Sequence, residues 1–430
     1  MDSLSQRPSF FHSPFLRGRL WGWAAAVVIV ALGILVRIVP WAECNKVGFD
    51  EVLYRNYVVS LDHVGLANYP EICQLYIEEQ KQPGAMTKLP PTRFLYIYCG
   101  WVMKRAVFGD APPAPPRAPN FVQTDPSLRS LHRTSALFSC LLFLVAGVCA
   151  WRMLGEARGL GVLALMACSP IQIHMAQHAL IDGFFAFWAM LCLWLLWENL
   201  QRPDHWGLQT AYGVCVALMV LTKENAFFVY VGLCGLLAVN HWARFGTLTR
   251  RLLLVMVMGP LAGLAVLVNL AGGMDVFLDT YRLLVTSAEQ NVYAIRTGDG
   301  PWHRYLVDLM IVSPAVLCLA IGGLFTSVRN SKPLLYLSAF VGFTYLVMCN
   351  VKFGMNLRYA TIWELPLCAL ATVQVGELAR PFGKRGPFVA VLIVLALCAY
   401  SLRQYAIFFV DFRLYELVSE GLLRAVKILK

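Results

Sequence analysis

The sequence predicts an all-α polytopic membrane protein, and three observations carry that prediction. Its 430 residues are 58% hydrophobic and 14% charged, with a mean hydropathy of +0.60, too apolar for a soluble domain. Apolar stretches of ~17–25 residues, the length at which a helix crosses ~30 Å of hydrocarbon, recur along most of the chain. The basic residues behind the net charge of +11 gather in short loops between those stretches. That placement orients a membrane protein and argues against a nucleic-acid partner.

The first span is read at 21–39, after a basic leader (1–20) containing Arg7, Arg17 and Arg19. Its apolar core is long for a signal peptide, and Trp41-Ala42-Glu43-Cys44 offers neither a small-x-small cleavage site nor a lipobox. It is read as a retained anchor with a cytosolic N-terminus. A mixed segment, 40–129, follows and ends in the proline-rich "APPAPPRAPN". Further spans fall at 130–150, 159–177, 183–200, 207–222, 225–241, 252–270, 305–327, 333–350, 357–377 and 386–408. The stretch 93–109, "RFLYIYCGWVMKRAVFG", is ambiguous, because its uninterrupted apolar part, 94–103, is about half the ~20 residues a crossing needs.

The positive-inside rule resolves the ambiguity. With 93–109 lying on the membrane, Arg152/Arg158, Arg202, Arg244/Arg250/Arg251, Arg329/Lys332 and Arg380/Lys384/Arg385 all fall in the cytosol. If it crossed, all of them would lie outside. The expected topology is about eleven spans, N-terminus in and C-terminus out. The outer loops are then 40–129, 178–183, 222–225, 271–304 and 350–357, and they collect Asp50, Glu51, Lys88, His178, Asp182, Lys223, Glu224, Glu289, His303, Lys352 and Arg358. Several of these lie at span ends, where an unpaired charge is costly, about 3 kcal/mol at the bilayer centre.

The outer segment opens on "GFDEVLYRNY" (48–57). Phe49, Leu53, Tyr57 and Leu61 step by four, one apolar face of a helix. Glu51 and Arg55 stand at i, i+4, a pair worth ~0.3 kcal/mol. A structural reading is therefore open, with Asp50 a first-turn or capping acid and Glu51 the partner of Arg55. A second surface helix is expected over 69–80. A third follows Pro90-Pro91, with Phe94, Leu95, Ile97, Tyr98 and Trp101 toward lipid. Similar alternatives stand for Asp182 (a helix cap), Lys223-Glu224 (a loop pair) and Arg358-Tyr359 (an interfacial anchor). His174 and His178, at i, i+4 without a third ligand, read as packing. No CxxC or HExxH occurs among the thirteen cysteines and eight histidines. Cys44, Cys73 and Cys99, in the outer segment, leave room for one disulfide.

The order of these motifs carries more than any one of them. After the acidic pair and the Lys88/Pro90-Pro91/aromatic helix come "HALIDGFFAFW", "LMVLTKENAFF", an outer loop leading to "GDGPWHRYL", and "VKFGMNLRYATIWELP". Over residues 20–380 this resembles membrane glycosyltransferases of the protein O-mannosyltransferase and lipid A aminoarabinose transferase type, in the superfamily that uses polyprenyl-phosphate-linked sugars. The resemblance implies a polyprenyl-phosphate sugar donor, membrane lipid around it, and a glycan, lipid or protein acceptor hydroxyl arriving from outside. It implies Asp50 as general base, with Glu51 and Asp182 as further acids of the site. Lys88, Lys223, Arg358 and Tyr359, with Arg55, Glu289 and His303, become candidates for holding the donor.

The sequence departs from that family at several points. Leu53 stands where relatives often have Arg, leaving Arg55 as a substitute. Lys88 is one residue removed from its Pro-Pro, and His303 follows the Gly-Pro-aromatic step that a His often precedes. The segment 409–430 reads as one amphipathic surface helix with Leu414, Leu417, Leu422 and Val426 on a face. No metal is required by this reading, although a divalent cation at Asp50/Glu51 stays open. The competing class is a transporter or flippase of a lipid-linked saccharide, which would place its polar residues near mid-bilayer on broken, symmetry-related helices.

Overall fold

A computed structural model describes residues 19–40, 47–82, 84–115, 121–291, 295, 298–328, 331–352 and 355–429. The leader up to residue 18, Cys44 and Arg329 lie outside the described residues. Among those described there is no strand.

Helix α1 (Arg19–Ile38) is the expected anchor, and the outer segment folds as α2 (Phe49–Val64), α3 (Tyr69–Gln80) and α4 (Phe94–Phe108). After the short α5 (Phe121–Thr124) come α6 (Pro126–Leu154), the pair α7 (Glu156–Ala167) and α8 (Pro170–Gln177), α9 (Ile181–Gln201), α10 (Trp206–Val220), α11 (Ala226–Ala243) and α12 (Arg250–Ala271). Then follow α13 (Met274–Gln290), the pair α14 (Arg304–Val312) and α15 (Pro314–Thr326), and α16 (Lys332–Met348). A 3₁₀ stretch, Leu357–Trp363, leads into α17 (Glu364–Ala379), and α18 (Gly386–Tyr405) and α19 (Ser419–Ala425) close the chain. Every span expected from the sequence coincides with a helix or a broken helix pair. Among the described residues five helical stretches are long and apolar enough to cross a membrane, or six with the pair α7/α8, bent by 54°; four shorter apolar helices accompany them. The chain is an integral membrane protein.

Local chemistry explains the breaks that matter. Pro170 removes a donor and Ser169 caps α8, its hydroxyl accepting from Gln172 N, so one apolar run becomes two helices. The carbonyls this break exposes are taken by Arg37, which donates to Met166 O at 2.8 Å and Ala167 O at 3.3 Å from inside α1. Asp125 starts α6 as its N-cap, accepting from Leu128 N at 2.7 Å. Asp182 lies in the first turn of α9, where an acid suits the positive end of the helix dipole. In α9, 83% of the apolar stretch is buried, against 28% in α12. The helix that carries Asp182 is thus central and α12 is peripheral.

Two apolar clusters result. The larger runs through the spans from α6 to α18; the smaller joins α2, α3 and α4 to the starts of α6 and α9 and the end of α12. Leu53, Tyr57 and Leu61 enter the smaller cluster as the spacing of four requires, while Phe49 is exposed.

Three expectations need correction. Phe94, Leu95 and Ile97 do not face lipid: all are buried in the smaller cluster, with Tyr98 and Trp101 half-buried against it, because α4 packs on α2 and α6. The outer loop 271–304 contains a five-turn amphipathic helix, α13. The C-terminal segment is helical only over Ser419–Ala425; residues 412–418 form an irregular strap that turns back onto the protein and buries Leu417. Cys73 and Cys99 are unlinked.

Candidate active site

The two acids of the opening motif separate at once. Gly48 caps α2, so Asp50 and Glu51 both lie in its first turn but point to different partners. Glu51 is buried, its Oε2 accepting from Gly48 N and its Oε1 from Ala179 N, both at 2.7 Å. His132 Nε2 and His178 Nδ1 approach Oε1 to 3.1 and 3.4 Å. Neither imidazole nitrogen makes a geometrically sound hydrogen bond there, so the contact is mainly electrostatic. Burial alone would raise the carboxyl's pKa; the two imidazoles more than reverse this and hold it well below the usual range. Glu51 therefore ties α2 to the α8–α9 connection as a permanent anion.

Asp50 instead faces Arg358 across 308 residues of sequence, with Oδ2 3.1 Å from Nη1. Arg358 is fixed at the start of the 3₁₀ stretch, where Asn356 Oδ1 accepts its backbone N–H at 3.0 Å. Its Nε lies 3.7 Å from Asp182 Oδ2 and its Nη2 3.4 Å from Glu416 Oε2. Nε makes no hydrogen bond although it is buried. Asp182 Oδ1 accepts from Lys223 Nζ at 2.7 Å, and that ammonium stands 3.9 Å from the centre of the Tyr359 ring. Asp50, Arg358, Asp182 and Lys223 thus form an alternating chain of charges drawn from four distant segments.

A second ion pair sits beside this chain. Arg93, buried just before α4, donates Nε to Glu224 Oε2 at 3.1 Å and Nη1 to the Tyr54 hydroxyl at 2.6 Å. Burial would raise the Glu224 carboxyl's pKa, but Arg93 and then Lys223 lower it below the usual range. Burial likewise works against the Arg93 charge, which Glu224 and Tyr54 restore and raise.

Asp50, Asp182, Lys223, Arg358 and Tyr359 are therefore brought together, with Glu51 as their neighbour. The remaining candidates are not. Arg55 does not pair with Glu51: it reaches buried Asp125, with Nη2 to Oδ2 at 2.7 Å, and the Ala114 carbonyl. Lys88 is half-exposed and pairs with Glu79 at 2.6 Å. Glu289 is exposed at the end of α13, and His303 is exposed where it lines a separate cavity. Sequence reasoning missed Arg93, Tyr54, His132, Tyr415 and Glu416. Arg93, directly after Pro-Pro, was within reach of the motif reading; nothing local marks Glu416.

Among the described residues no group of three or more His, Cys, Asp or Glu side chains is arranged to hold a metal ion. Glu51 gives both oxygens to N–H donors and Asp50 faces a guanidinium, a poor donor set for a divalent cation.

Residues 126–274 match the family model for dolichyl-phosphate-mannose-protein mannosyltransferases, which agrees with the resemblance read from the motifs. No curated protein sequence matches the chain. Solved structures do. ArnT from Cupriavidus metallidurans bound to undecaprenyl phosphate is similar at 17% identity and a TM-score of 0.57, covering 94% of this chain and 74% of its own. The oligosaccharyltransferase of Archaeoglobus fulgidus gives 14% identity and a TM-score of 0.60, covering 90% of this chain and 56% of its own. The archaeal enzyme AglB in complex with an inhibitory peptide and a dolichol-phosphate gives 13% and 0.56, with 90% and 55% covered. At these identities the likeness is one of fold, and the chain spans just over half the length of the archaeal structures.

Proposed function

We propose that this protein transfers a sugar from a polyprenyl-phosphate donor to an acceptor hydroxyl at the extracytoplasmic face of a membrane. The observation that carries the reading is the convergence of Asp50 with Arg358, Asp182 and Lys223, which the expected topology puts at the outer ends of the spans. It is a base beside two cations, built where a lipid-borne phosphate would lie. The family match over 126–274 and the fold shared with proteins that bind undecaprenyl phosphate and dolichol-phosphate support it.

In this reading Asp50 takes the proton of the acceptor hydroxyl as its oxygen attacks the anomeric carbon. The bond from that carbon to the phosphate oxygen breaks, and its electron pair stays on the phosphate. Such a base contributes ~10²–10⁴-fold. The growing phosphate charge is met by Arg358, whose planar fork suits two oxygens, and by Lys223 as a point charge. Cations fixed in advance at low dielectric stabilise that charge without reorganising. Arg358 holds Asp50; a phosphate claiming Arg358 frees Asp50 for the acceptor. Asp182 positions both cations, and Tyr359 backs Lys223. Glu51 shapes the site without entering the reaction, and Lys88, Arg55, Glu289 and His303 stay outside it.

The accompanying topology is eleven spans, N-terminus in and C-terminus out, in a bacterial inner membrane with the site on the periplasmic side. The domain arrangement is a leader (1–20), a catalytic membrane domain (21–408) and a tail (409–430). The test is transfer from a panel of radiolabelled polyprenyl-phosphate hexoses and pentoses into a membrane extract by purified protein in nanodiscs, wild type beside Asp50→Asn. Transfer by the wild type alone is expected. Equal transfer by both removes Asp50 as the base, and saccharide flipping without transfer replaces the enzyme by a transporter.

A further inference from the structure

The charge balance around Arg358 is uneven. Three carboxylates, Asp50, Asp182 and Glu416, meet two cations, Arg358 and Lys223. Two of the acids belong to the chain of charges already described. The third comes from the C-terminal strap, and it sits on Nη2, one of the outward-facing nitrogens with which a guanidinium grips a phosphate.

We infer that Glu416 is a tethered anion on the phosphate-gripping face of Arg358 that a lipid-linked phosphate displaces when it arrives. This deepens the proposed function and rests on it. A phosphate added while Glu416 stayed in place would put a fourth anion on two cations. Asp50 and Asp182 already match Arg358 and Lys223 in charge, so Glu416 is the surplus anion, and its departure leaves neither cation unmatched.

The strap is built to hold this position and also to leave it. Asn356 Nδ2 donates to Glu416 Oε2 at 3.1 Å, and Leu357 N donates to Leu417 O at 3.4 Å. Tyr415 lies edge-on to His178, with ring centres 5.3 Å apart, and its backbone oxygen is 3.1 Å from His174 Nε2. Ser419 Oγ donates to Asp308 Oδ1 at 2.6 Å. Besides these polar contacts the irregular segment is anchored by Leu417, which is buried in the larger apolar cluster. Arg413 within the strap and Lys427 after α19 have left-handed backbones at φ 49° and 61°, sparsely populated for residues with a side chain. Where the strap runs into α19, an open pocket of about 400 Å³ is lined by Arg304, Val307, Val418, Ser419 and Leu423.

The experiment measures binding of undecaprenyl phosphate to the full chain in nanodiscs, and donor kinetics, for wild type, Glu416→Gln and Ser419→Ala. Glu416→Gln keeps the shape and the Asn356 contact but removes the competing charge. It is expected to bind a few-fold tighter, about threefold on the scale of a partly exposed ion pair, and to lower the donor KM with little change in kcat. Ser419→Ala, which loosens the strap but keeps the charge, is expected to shift binding the same way by a smaller factor. Equal or weaker binding by Glu416→Gln, or a kcat loss with binding unchanged, overturns the inference and makes Glu416 a structural or reacting group. Binding by none of the three overturns the proposed function together with the inference, whereas equal binding by all three overturns the inference alone.

Discussion

Asp50 and Glu51 are adjacent in sequence and alike in chemistry, yet their surroundings predict opposite consequences for the same isosteric change. In Glu51→Gln the amide has one oxygen where the carboxylate had two. Oε1 now serves Ala179 N and Oε2 serves Gly48 N, each at 2.7 Å. Whichever way the amide turns, its NH₂ faces a buried backbone N–H, and the anion beside His132 and His178 is gone. A lost charge-assisted hydrogen bond with an unpaired buried donor costs about 2–3 kcal/mol, a large share of the ~5–15 kcal/mol that folded proteins hold in reserve. Asp50→Asn removes one partly exposed ion-pair partner, worth about 0–1 kcal/mol, and a base worth ~10²–10⁴ in rate. Thermal unfolding in nanodiscs and initial transfer rates, normalised to bound donor lipid, separate the two. Glu51→Gln should unfold several degrees lower yet keep most of its normalised rate; Asp50→Asn should unfold like wild type and be nearly inactive. Loss of rate in Glu51→Gln at unchanged unfolding temperature would refute the division of roles. The same argument has a pH form. The folded Glu51 carboxyl is held below its unfolded pKa of ~4.3, so its stabilisation is complete above that value and is lost as pH falls through the folded one. Glu51→Gln should lack that acid-side loss of stability.

Other perturbations test other parts of the structure. Lys88→Ala breaks only a half-exposed pair with Glu79 and should leave transfer within about twofold and stability within ~1 kcal/mol. Arg93→Met strands Glu224 and the Tyr54 hydroxyl and should cost about 3 kcal/mol, read as a lower unfolding temperature. A methyl group at Gly48 would lie 1.9 Å from the Tyr415 ring. Gly48→Ala should therefore lift the strap, costing about 1–3 kcal/mol by overpacking and making residues 412–418 cleavable by protease while wild type resists. Arg37→Met removes the guanidinium from the Ala167 carbonyl and leaves the Met166 carbonyl with the 3.4 Å bond from Ser169 N at the α7/α8 break. It should lower thermal stability with little effect on donor KM.

The amino-acid sequence by itself determined the class of the molecule, the position of every apolar helix and the order of the polar motifs between them. Those features are local: a 20-residue apolar run or an acidic pair after a span is legible wherever the rest of the chain goes. Asp182, Lys223 and Arg358 drew notice at the ends of expected spans and Asp50 at the start of a surface helix, and the family resemblance made candidates of them. The tertiary structure decided who meets whom. Arg55 lies one helical turn from Glu51 yet pairs with Asp125, seventy residues away, because a fully buried acid at a helix start outbids a weak surface pair. The α4 aromatics looked lipid-facing because amphipathicity marks an apolar face without saying whether lipid or protein covers it. Glu416 had no signal at all, since one of several acids in an amphipathic tail becomes part of a site only when the chain brings it to Arg358. Periodicity and burial cost are written along the chain, but the pairing of charges is set by distances that only the folded helices create.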